Sequence, residues 1–316
     1  MTACDIKVRI FLCLFLIAGF LSGCSTTKKF AKSISSVPSK ITEAISTDNK
    51  LAFRAMLLPI LDYGSYGEER VSNITSQYVE AFDQISRIKI STSPQDFKWP
   101  AMEKMPEFGV IPPHELADFA KAHGVDAVIT IMLNPIENQT ESTGIWPFRG
   151  IAVQLNISSV VNVIDVTSST IIASHEAKEY ISYSTDELEF QEEDSVYERI
   201  VKKVFPELIA EQMDAIRTNI RGIPWTGKII ALETNGDLII NAGTDIDLKS
   251  GTKLDVFEEG DDITVKSGIK LSSRGKRVGE IMVADVRETT SKAIPVINKN
   301  DGEITFKIGQ LVRIKK

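Results

Sequence analysis

The order of strand and helix signals after residue 50 limits the fold more than any other feature of the sequence. Residues 51–60 form a mostly apolar run, typical of a buried strand. Apolar residues then recur at steps of three and four over 71–85, which predicts an amphipathic helix. A strand at 87–91, a short helix at 114–123 and a strand at 125–133 follow. This alternation predicts parallel strands with helices packed on the sheet.

Two Ser-x-x-Glu sequences predict where longer helices begin, because this spacing is typical of a capping box. The first pair is Ser65 with Glu68, and the second is Ser195 with Glu198. The helix after the second pair contains Pro206. Since proline has no backbone N–H, we expect this helix to be kinked or split there.

The middle of the chain changes to a β pattern. Residues 153–163 place apolar side chains mostly at odd positions, which predicts a half-buried strand. We expect the chain to turn at 167–170 and return towards Tyr183 as a long antiparallel hairpin. Past a boundary near 221–224 the sequence consists of short β-prone runs, and Asn-Gly at 235–236 predicts a type I′ turn. The last region therefore predicts a small barrel or sandwich.

The start of the chain has the features of a bacterial lipoprotein signal. Lys7 and Arg9 precede an apolar run at residues 10–21, and small residues up to Gly23 precede Cys24. We predict cleavage between Gly23 and Cys24 and acylation of Cys24. The alternative, an uncleaved anchor, is disfavoured because a bilayer span needs about 20 apolar residues.

The same signal defines the first parts of the chain. Residues 1–23 are predicted to be the signal peptide, and 24–50 a lipidated tether rich in Ser, Thr and Lys. Ser25 after the modified cysteine favours the outer membrane, with the protein facing the periplasm. Cys4 and Cys13 lie in the signal, so no cysteine is left for an intramolecular disulfide. The net charge of −7 argues against a general nucleic-acid binder.

Three segments in the first half of the chain match a known domain pattern. They are Leu-Leu-Pro-Ile at 57–60, Ala-Lys-Ala-His-Gly-Val-Asp-Ala-Val at 120–128 and Val-Asn-Val-Ile-Asp-Val-Thr-Ser-Ser-Thr-Ile-Ile-Ala-Ser at 161–174. They resemble the periplasmic α/β domain of the TolB N-terminal module, the curli-secretion lipoprotein CsgG and the lipoprotein activators of penicillin-binding proteins. That family usually has Gly in the last turn, where this chain has Ser168-Ser169. The resemblance implies an α/β domain at residues 51–222.

Segments in the last third of the chain match a second pattern. They are Gly-Lys-Ile-Ile-Ala-Leu at 227–232, Leu-Ile-Ile-Asn-Ala-Gly at 238–243, Gly-Thr-Lys-Leu-Asp-Val-Phe at 251–257, Val-Gly-Glu-Ile-Met-Val at 278–283, and residues 286–293 and 309–312. In this order they resemble the C-terminal domain of the flagellar assembly protein T family, which implies an SH3-like barrel at 223–316. The predicted fold class is α+β: a mixed α/β sheet domain with packed helices, followed by a small all-β barrel.

We predict no catalytic, metal or cofactor site. The three histidines are His114, His123 and His175. His114-Glu115 begins a zincin-like pattern, but Asp118 stands where the second histidine is required. Residues 245–247 lack the later ligands of a calcium loop and are predicted to form a turn.

Two other segments are candidate interaction surfaces. Trp146 and Phe148 are predicted partner contacts, because aromatic anchors often carry binding energy; packing on their own domain is the alternative. Basic residues at 274–277 and acidic ones at 258–262 are predicted to pair locally.

These observations favour a non-enzymatic envelope lipoprotein that acts as a periplasmic adaptor or assembly factor. Its predicted partners are the membrane, through Cys24, and envelope or peptidoglycan-associated proteins, with oligomerisation an open option. One alternative is an oligomeric outer-membrane secretion component like CsgG. It is disfavoured because neither 134–150 nor 182–195 shows the alternation of a membrane strand. A third possible function is that of an uncharacterised periplasmic hydrolase.

Overall fold

The computed structural model describes residues 51–99, 114–144, 150–260, 262–264, 270–272, 275–296 and 305–315. In chain order its strands and helices are β1 (Phe53–Leu57), β2 (Leu61–Asp62), α1 (Glu68–Asp83), β3 (Ile88–Thr92), α2 (His114–Ala122), β4 (Ala127–Leu133), β5 (Glu137–Thr143), β6 (Gly150–Asp165), β7 (Thr170–Ser184), α3 (Thr185–Glu189), α4 (Glu193–Arg199), a π-helical turn (Ile200–Val204), α5 (Phe205–Ile220), β8 (Gly227–Leu232), β9 (Leu238–Ile240), a 3-10 turn (Thr244–Ile246), β10 (Lys253–Phe257), β11 (Asp262–Thr264), β12 (Lys270–Ser272), β13 (Arg277–Val286), β14 (Ser291–Val296) and β15 (Leu311–Ile314). None of the helices in these ranges is both long and apolar enough to cross a bilayer.

The first group of strands forms a seven-stranded mixed sheet. Its order is β3-β1-β4-β6-β5, with β2 beside β4 and β7 beside β6. Strand β1 is parallel to β3 and β4, whereas β6 is antiparallel to β4, β5 and β7. The predicted parallel start of the sheet and the long antiparallel hairpin are both confirmed.

Helices cover the two faces of this sheet. On one face Tyr78 of α1 and Phe205 of α5 pack with β6 residues such as Ile157. On the other face Leu116 of α2 packs with Val128 of β4. Because side chains alternate along a strand, one sheet can supply both apolar layers.

A buried polar cluster ties α1, α5 and β6 together. The Tyr78 hydroxyl donates a hydrogen bond to Gln212 Oε1 at 2.7 Å and lies 3.1 Å from Ser159 Oγ. Gln212 Nε2 donates to the Ser159 carbonyl oxygen at 2.8 Å. Burial raises the pKa of the Tyr78 phenol. Since the polar groups satisfy one another, the cluster fixes how the three elements align.

The later strands form a closed barrel in the order β10-β13-β14-β9-β8-β15, with every pair antiparallel. The predicted α+β class is therefore confirmed. The barrel core contains Ile229, Leu254, Val256, Ile281 and Val312. Leu51, Ala52 and Phe53 are buried in the same core, although β1 belongs to the sheet. The sheet and the barrel thus share the segment that begins β1.

The first capping-box prediction is wrong. Helix α1 begins at Glu68 behind Gly67, whose φ is 85°, and no side chain caps it. Ser65 has a φ of 56°, outside the extended region that an N-cap residue normally adopts. The turn before the helix therefore prevents Ser65 from reaching the free N–H groups.

The second capping-box prediction is also wrong. Helix α4 begins at Glu193, so Ser195 lies inside its first turn and no side chain caps the helix. An earlier Ser-x-x-Glu sequence is used instead. Ser184 Oγ accepts a hydrogen bond from the Glu187 backbone N–H at 3.1 Å and caps α3.

The predicted interruption at Pro206 is confirmed. A π-helical turn at Ile200–Val204 separates α4 from α5, and Pro206 lies in the first turn of α5. At that position the missing N–H of proline costs nothing, because the first N–H groups of a helix have no partner within it.

The turn at 235–236 joins β8 and β9 as predicted, but its type is not I′. Gly236 has a φ of 90°, whereas Asn235 is not among the described residues with positive φ. Glu233 N–H donates to the Asp237 carbonyl at 2.8 Å, which encloses a three-residue loop. Such a loop needs only one left-handed residue, and Gly236 provides it.

The turn of the β6–β7 hairpin has an unusual left-handed serine. Ser169 has a φ of 54°, at the turn where the resembling family usually has Gly. Asp165 Oδ2 accepts hydrogen bonds of 2.6 Å from both the backbone N–H and the hydroxyl of Ser168. This local network holds the turn in a conformation that serine seldom adopts.

Candidate functional site

The sequence-predicted site residues lie outside the described ranges. This holds for the cleavage and lipidation positions Gly23 and Cys24, and for the partner contacts Trp146 and Phe148. The last two belong to the connection between Thr143 of β5 and Gly150 of β6, which are paired with each other. These assignments stay predictions.

The histidines occupy separate places. His123 Nδ1 lies 2.8 Å from the Phe119 carbonyl oxygen at the end of α2. His175 Nε2, on β7, lies 3.0 Å from Glu211 Oε1 of α5. Asp118 pairs with Lys121 at 3.7 Å. Within the described ranges no three His, Cys, Asp or Glu side chains come together as metal ligands.

The charged segments of the barrel pair only partly as predicted. Lys276 O accepts a hydrogen bond from the Glu258 N–H at 2.8 Å, so the two segments do meet through backbone atoms. Their side chains form ion pairs with residues outside the two segments. Arg277 pairs with Asp255 at 2.7 Å, and Glu259 pairs with Lys228 at 3.0 Å.

Residues 245–247 form a turn, as predicted, and this turn joins the barrel to the sheet. Asp245 Oδ2 and Oδ1 accept hydrogen bonds from Arg54 Nε at 2.5 Å and Arg54 Nη2 at 3.0 Å. The same guanidinium donates to the carbonyl oxygens of Asn241 at 2.8 Å and Thr289 at 3.1 Å. Because Arg54 lies on β1, this bidentate contact fixes the barrel against the sheet.

A second contact of the joint centres on a buried carboxyl group. Asp126 Oδ2 accepts a hydrogen bond from the Arg54 backbone N–H at 3.0 Å and from Trp225 Nε1 at 3.3 Å. Trp225 is 1% exposed and belongs to the barrel core. A Cβ at position 227 would lie 2.1 Å from the indole, so only glycine fits where β8 begins.

A third contact holds the segment that leads from α5 to β8. The Arg87 guanidinium donates to the carbonyl oxygens of Ile220 at 2.8 Å, Arg221 at 3.1 Å and Ile223 at 2.9 Å, and more weakly to Leu51 at 3.4 Å. Its Cζ lies 5.1 Å from the centre of the Phe53 ring. Burial lowers the pKa of Arg87. We call the contacts of Arg54, Arg87, Asp126, Trp225 and Asp245 the joint.

The joint predicts a pH-dependent stability. Burial raises the pKa of Asp126 to about 6, above its ordinary value near 4. Ionisation therefore costs more in the folded than in the unfolded chain, and the free energy of unfolding should fall as pH rises from about 4 to 6. Asp126→Asn keeps an acceptor oxygen and should gain up to about 3 kcal/mol over wild type between pH 4 and 7. Urea unfolding at several pH values measures this gain, and parallel pH curves for the two proteins would contradict it.

The most exposed apolar side chains of the sheet mark a different region. We call it the distal ribbon: β5 (137–143) with residues 150–160 of β6 and 176–184 of β7. Ile151 is 56% exposed and Tyr180 61% exposed. Tyr63, which follows β2, and Phe190, which follows α3, are 52% and 86% exposed. Tyr180 is directly opposite Asn156 and shares its face of the sheet, whereas Ile151, an odd number of residues from Asn156, lies on the opposite face. The ribbon therefore exposes a large apolar side chain on each face.

A shallow cavity lies on the ribbon, with a volume of about 340 Å³. Its lining includes Asn134, Glu137, Asn156, Ser158, Lys178 and Tyr180. Glu137 is directly opposite Asn156, and Asn156 is directly opposite Tyr180, so the three share one face of the sheet. The cavity therefore offers carboxylate, amide and aromatic groups side by side.

A second surface groove runs between α1 and α5, with a volume of about 520 Å³. Ile209 and Met213, both 4% exposed, contribute apolar lining. Arg217 and Asp214 line it as well and pair with each other at 2.5 Å. The groove thus combines an apolar part with the Asp214–Arg217 ion pair.

Sequence reasoning missed the ribbon because β5 has the wholly polar sequence Glu-Asn-Gln-Thr-Glu-Ser-Thr. The only available signal was its position between two β patterns. It also missed the joint, although Arg54 within an apolar run was a sign that a buried charge had a partner.

No family model matches the sequence, and no curated protein matches it. Solved structures do match about half of the chain. A minor lipoprotein from Acinetobacter baumannii is 9% identical over 54% of this chain and 94% of its own, with a TM-score of 0.30. Lipoprotein GNA1162 from Neisseria meningitidis is 14% identical over 51% of this chain and 99% of its own, with a TM-score of 0.26. A PelC dodecamer from Paraburkholderia phytofirmans is 10% identical over 54% of this chain and 93% of its own, with a TM-score of 0.29.

Proposed function

We propose that this chain is a non-enzymatic lipoprotein of the bacterial envelope. Acyl chains on Cys24 anchor it in the outer membrane, and residues 51–316 face the periplasm. There it acts as an adaptor or assembly factor for protein or cell-wall-associated partners. The division into a sheet domain at 51–222 and a barrel domain at 223–316 is part of the same proposal.

The distal ribbon is the observation that carries the adaptor role. Tyr180 exposes more than half of its surface on the face that also carries Asn156 and Glu137, and Ile151 does so on the opposite face. Exposed aromatic residues supply large contact areas at low entropic cost, which makes them frequent anchors of protein interfaces. The joint supports the role as well, because charged and apolar contacts hold the sheet and the barrel together as one scaffold.

The anchor rests on the sequence that ends in Gly23-Cys24. Burial of acyl methylene groups contributes about 0.8 kcal/mol each, so two or three chains on one cysteine hold a protein at a membrane durably. We expect Cys24→Ala to move the protein out of the membrane fraction while leaving its thermal midpoint unchanged. Cell fractionation with immunoblotting, followed by density-gradient separation of inner and outer membranes, tests both the anchor and its location.

Cys13→Ala is the matched control, because it removes a cysteine from the signal segment but not the acylated one. The control should fractionate like wild type. A Cys24→Ala protein that stays in the membrane fraction would refute the lipid anchor.

The adaptor role is tested by crosslinking in intact cells. A photoreactive amino acid at Tyr180 reports partners of the ribbon, whereas the same group at the exposed Glu258 on the barrel provides the control. We expect specific crosslinked bands from position 180 that Trp146→Ser and Phe148→Ser weaken. Identical patterns from both positions would count against a dedicated surface.

A further inference from the structure

Strand β5 has a free edge at the end of the sheet. Its seven residues pair with β6 on one side only. On the other side, β1 and β2 run along β4 and stop at Asp62, which lies opposite Leu133. Beyond Asp62, no strand among the described residues lies beside the outer edge of β5. The backbone N–H and C=O groups of β5 that point away from β6 therefore have no strand partner within the described part of the chain.

The protection of this edge is purely acidic: Glu137 and Glu141 are the charged residues of β5. Folded proteins blunt their edge strands with lysine, proline or a bulge, because an open edge invites pairing with another chain. Strand β3 contains Lys89 and β7 contains Lys178. Strand β5 has neither lysine nor proline, and its register with β6 has no bulge. Residues 137–142 are all exposed.

The surroundings of the edge carry negative charge. The acidic residues of the distal ribbon are Glu137, Glu141, Glu176 and Glu179. Lys178 is the basic residue among them, and Glu176 already pairs with it at 3.1 Å. An incoming strand with lysine or arginine side chains would neutralise the uncompensated carboxylates, whereas an acidic strand would be repelled.

We propose that the free edge of β5 binds an extended, basic segment of a partner protein by strand addition. Main-chain hydrogen bonds to β5 would supply affinity, and alternate basic side chains would supply specificity. Glu137 and Glu141 are four residues apart on one face of β5, so two such side chains would lie beside them. The proposal deepens the adaptor function and rests on it, since it names the chemistry of the partner.

Synthetic peptides test the mode of binding with the acylated full chain in detergent micelles. The probe is a dye-labelled twelve-residue peptide of alternating lysine and valine, measured by fluorescence anisotropy. We expect this peptide to bind and the glutamate-valine peptide not to bind. A lysine-valine peptide that is N-methylated at every residue keeps every charge but has no backbone N–H donor on either edge. Equal binding of that peptide would overturn strand addition.

Substitutions test the site. The double variant Glu137→Lys with Glu141→Lys should bind the lysine-valine peptide about tenfold more weakly. The matched control is Glu258→Lys, an exposed charge reversal on the barrel, which should bind like wild type. Equal binding by all three proteins would overturn the assignment to β5.

Proline substitutions separate the free edge from the paired edge without changing charge. Neighbouring N–H groups in a strand point to opposite edges, so Gln139→Pro and Thr140→Pro each remove a donor from a different side. The variant that keeps the thermal midpoint of wild type has lost the outward donor. That variant should lose peptide binding, and full binding by it would refute the proposal.

The same experiments distinguish this proposal from the proposed function. If the peptide fails to bind but crosslinks from position 180 persist, the adaptor function stands and strand addition is wrong. If light scattering shows a dimer that the double Lys variant abolishes, the edge serves a second copy of this chain, and a basic partner is excluded.

Discussion

Replacing Trp225 by Ala is expected to lower the free energy of unfolding by about 3–5 kcal/mol. The indole is 1% exposed, packs in the barrel core and lies across Gly227. Removing it leaves a cavity that the closed barrel has little freedom to fill, and the buried carboxylate of Asp126 loses a donor. Urea unfolding followed by circular dichroism measures the change.

Two further variants serve as comparisons for the loss of stability in Trp225→Ala. Trp225→Phe keeps most of the buried surface but not the Nε1–H donor, and should cost about 1–3 kcal/mol. Phe190→Ala removes an aromatic side chain that is 86% exposed and should cost less than about 0.5 kcal/mol. If Trp225→Ala cost no more than Phe190→Ala, the indole would not support the barrel core.

Replacing Arg87 by Met is expected to cost about 3 kcal/mol. The substitution removes the donor for the carbonyl oxygens of Ile220, Arg221 and Ile223, which then lose their side-chain partner. It also removes the cation above the Phe53 ring. Thermal unfolding by calorimetry measures the loss.

The expected loss depends on the planar guanidinium of Arg87, which donates to several carbonyl oxygens at once. Arg87→Lys keeps the charge but cannot aim several donors at once, so it should recover less than half of the loss. Arg221→Met, on an exposed side chain next to the same segment, provides the control and should be near neutral. A near-neutral Arg87→Met would mean that water replaces the guanidinium at little cost.

The joint bears directly on how the protein unfolds. Arg54, on β1 of the sheet, bonds to Asp245 next to the barrel strands, while Leu51–Phe53 fill the barrel core. We therefore expect one cooperative calorimetric transition, with Trp225→Ala and Arg87→Met lowering the stability of the sheet and the barrel together. Two separate transitions would show that the sheet and the barrel are energetically independent.

The fold could be predicted from the sequence wherever apolar periodicity is strong. The order of elements from 51 to 133 and the hairpin after Val153 follow from the spacing of apolar residues, which is a local property. Helix starts could not be predicted in the same way. Ser65, Ser184 and Ser195 all begin Ser-x-x-Glu sequences, and only the tertiary structure decides that Ser184 is the cap.

The candidate surface was harder to predict for a related reason. Strand β5 has no apolar face, so its sequence contains no strand period, and pairing with β6 alone makes it a strand. The Tyr78–Gln212–Ser159 cluster joins residues more than 130 positions apart in sequence, and no local pattern encodes such a contact. Cys24, Trp146 and Phe148 stay predictions from sequence.

The burial of Leu51–Phe53 in the barrel also affects folding kinetics. These residues begin the described chain, whereas β15, which pairs with both β8 and β10 and closes the barrel, lies near its end. Contacts over such long sequence separations carry a large loop-closure entropy and slow the search for the native state. The barrel core therefore cannot be completed until β15 has joined β8 and β10, and any earlier folding intermediate exposes unpaired barrel strands.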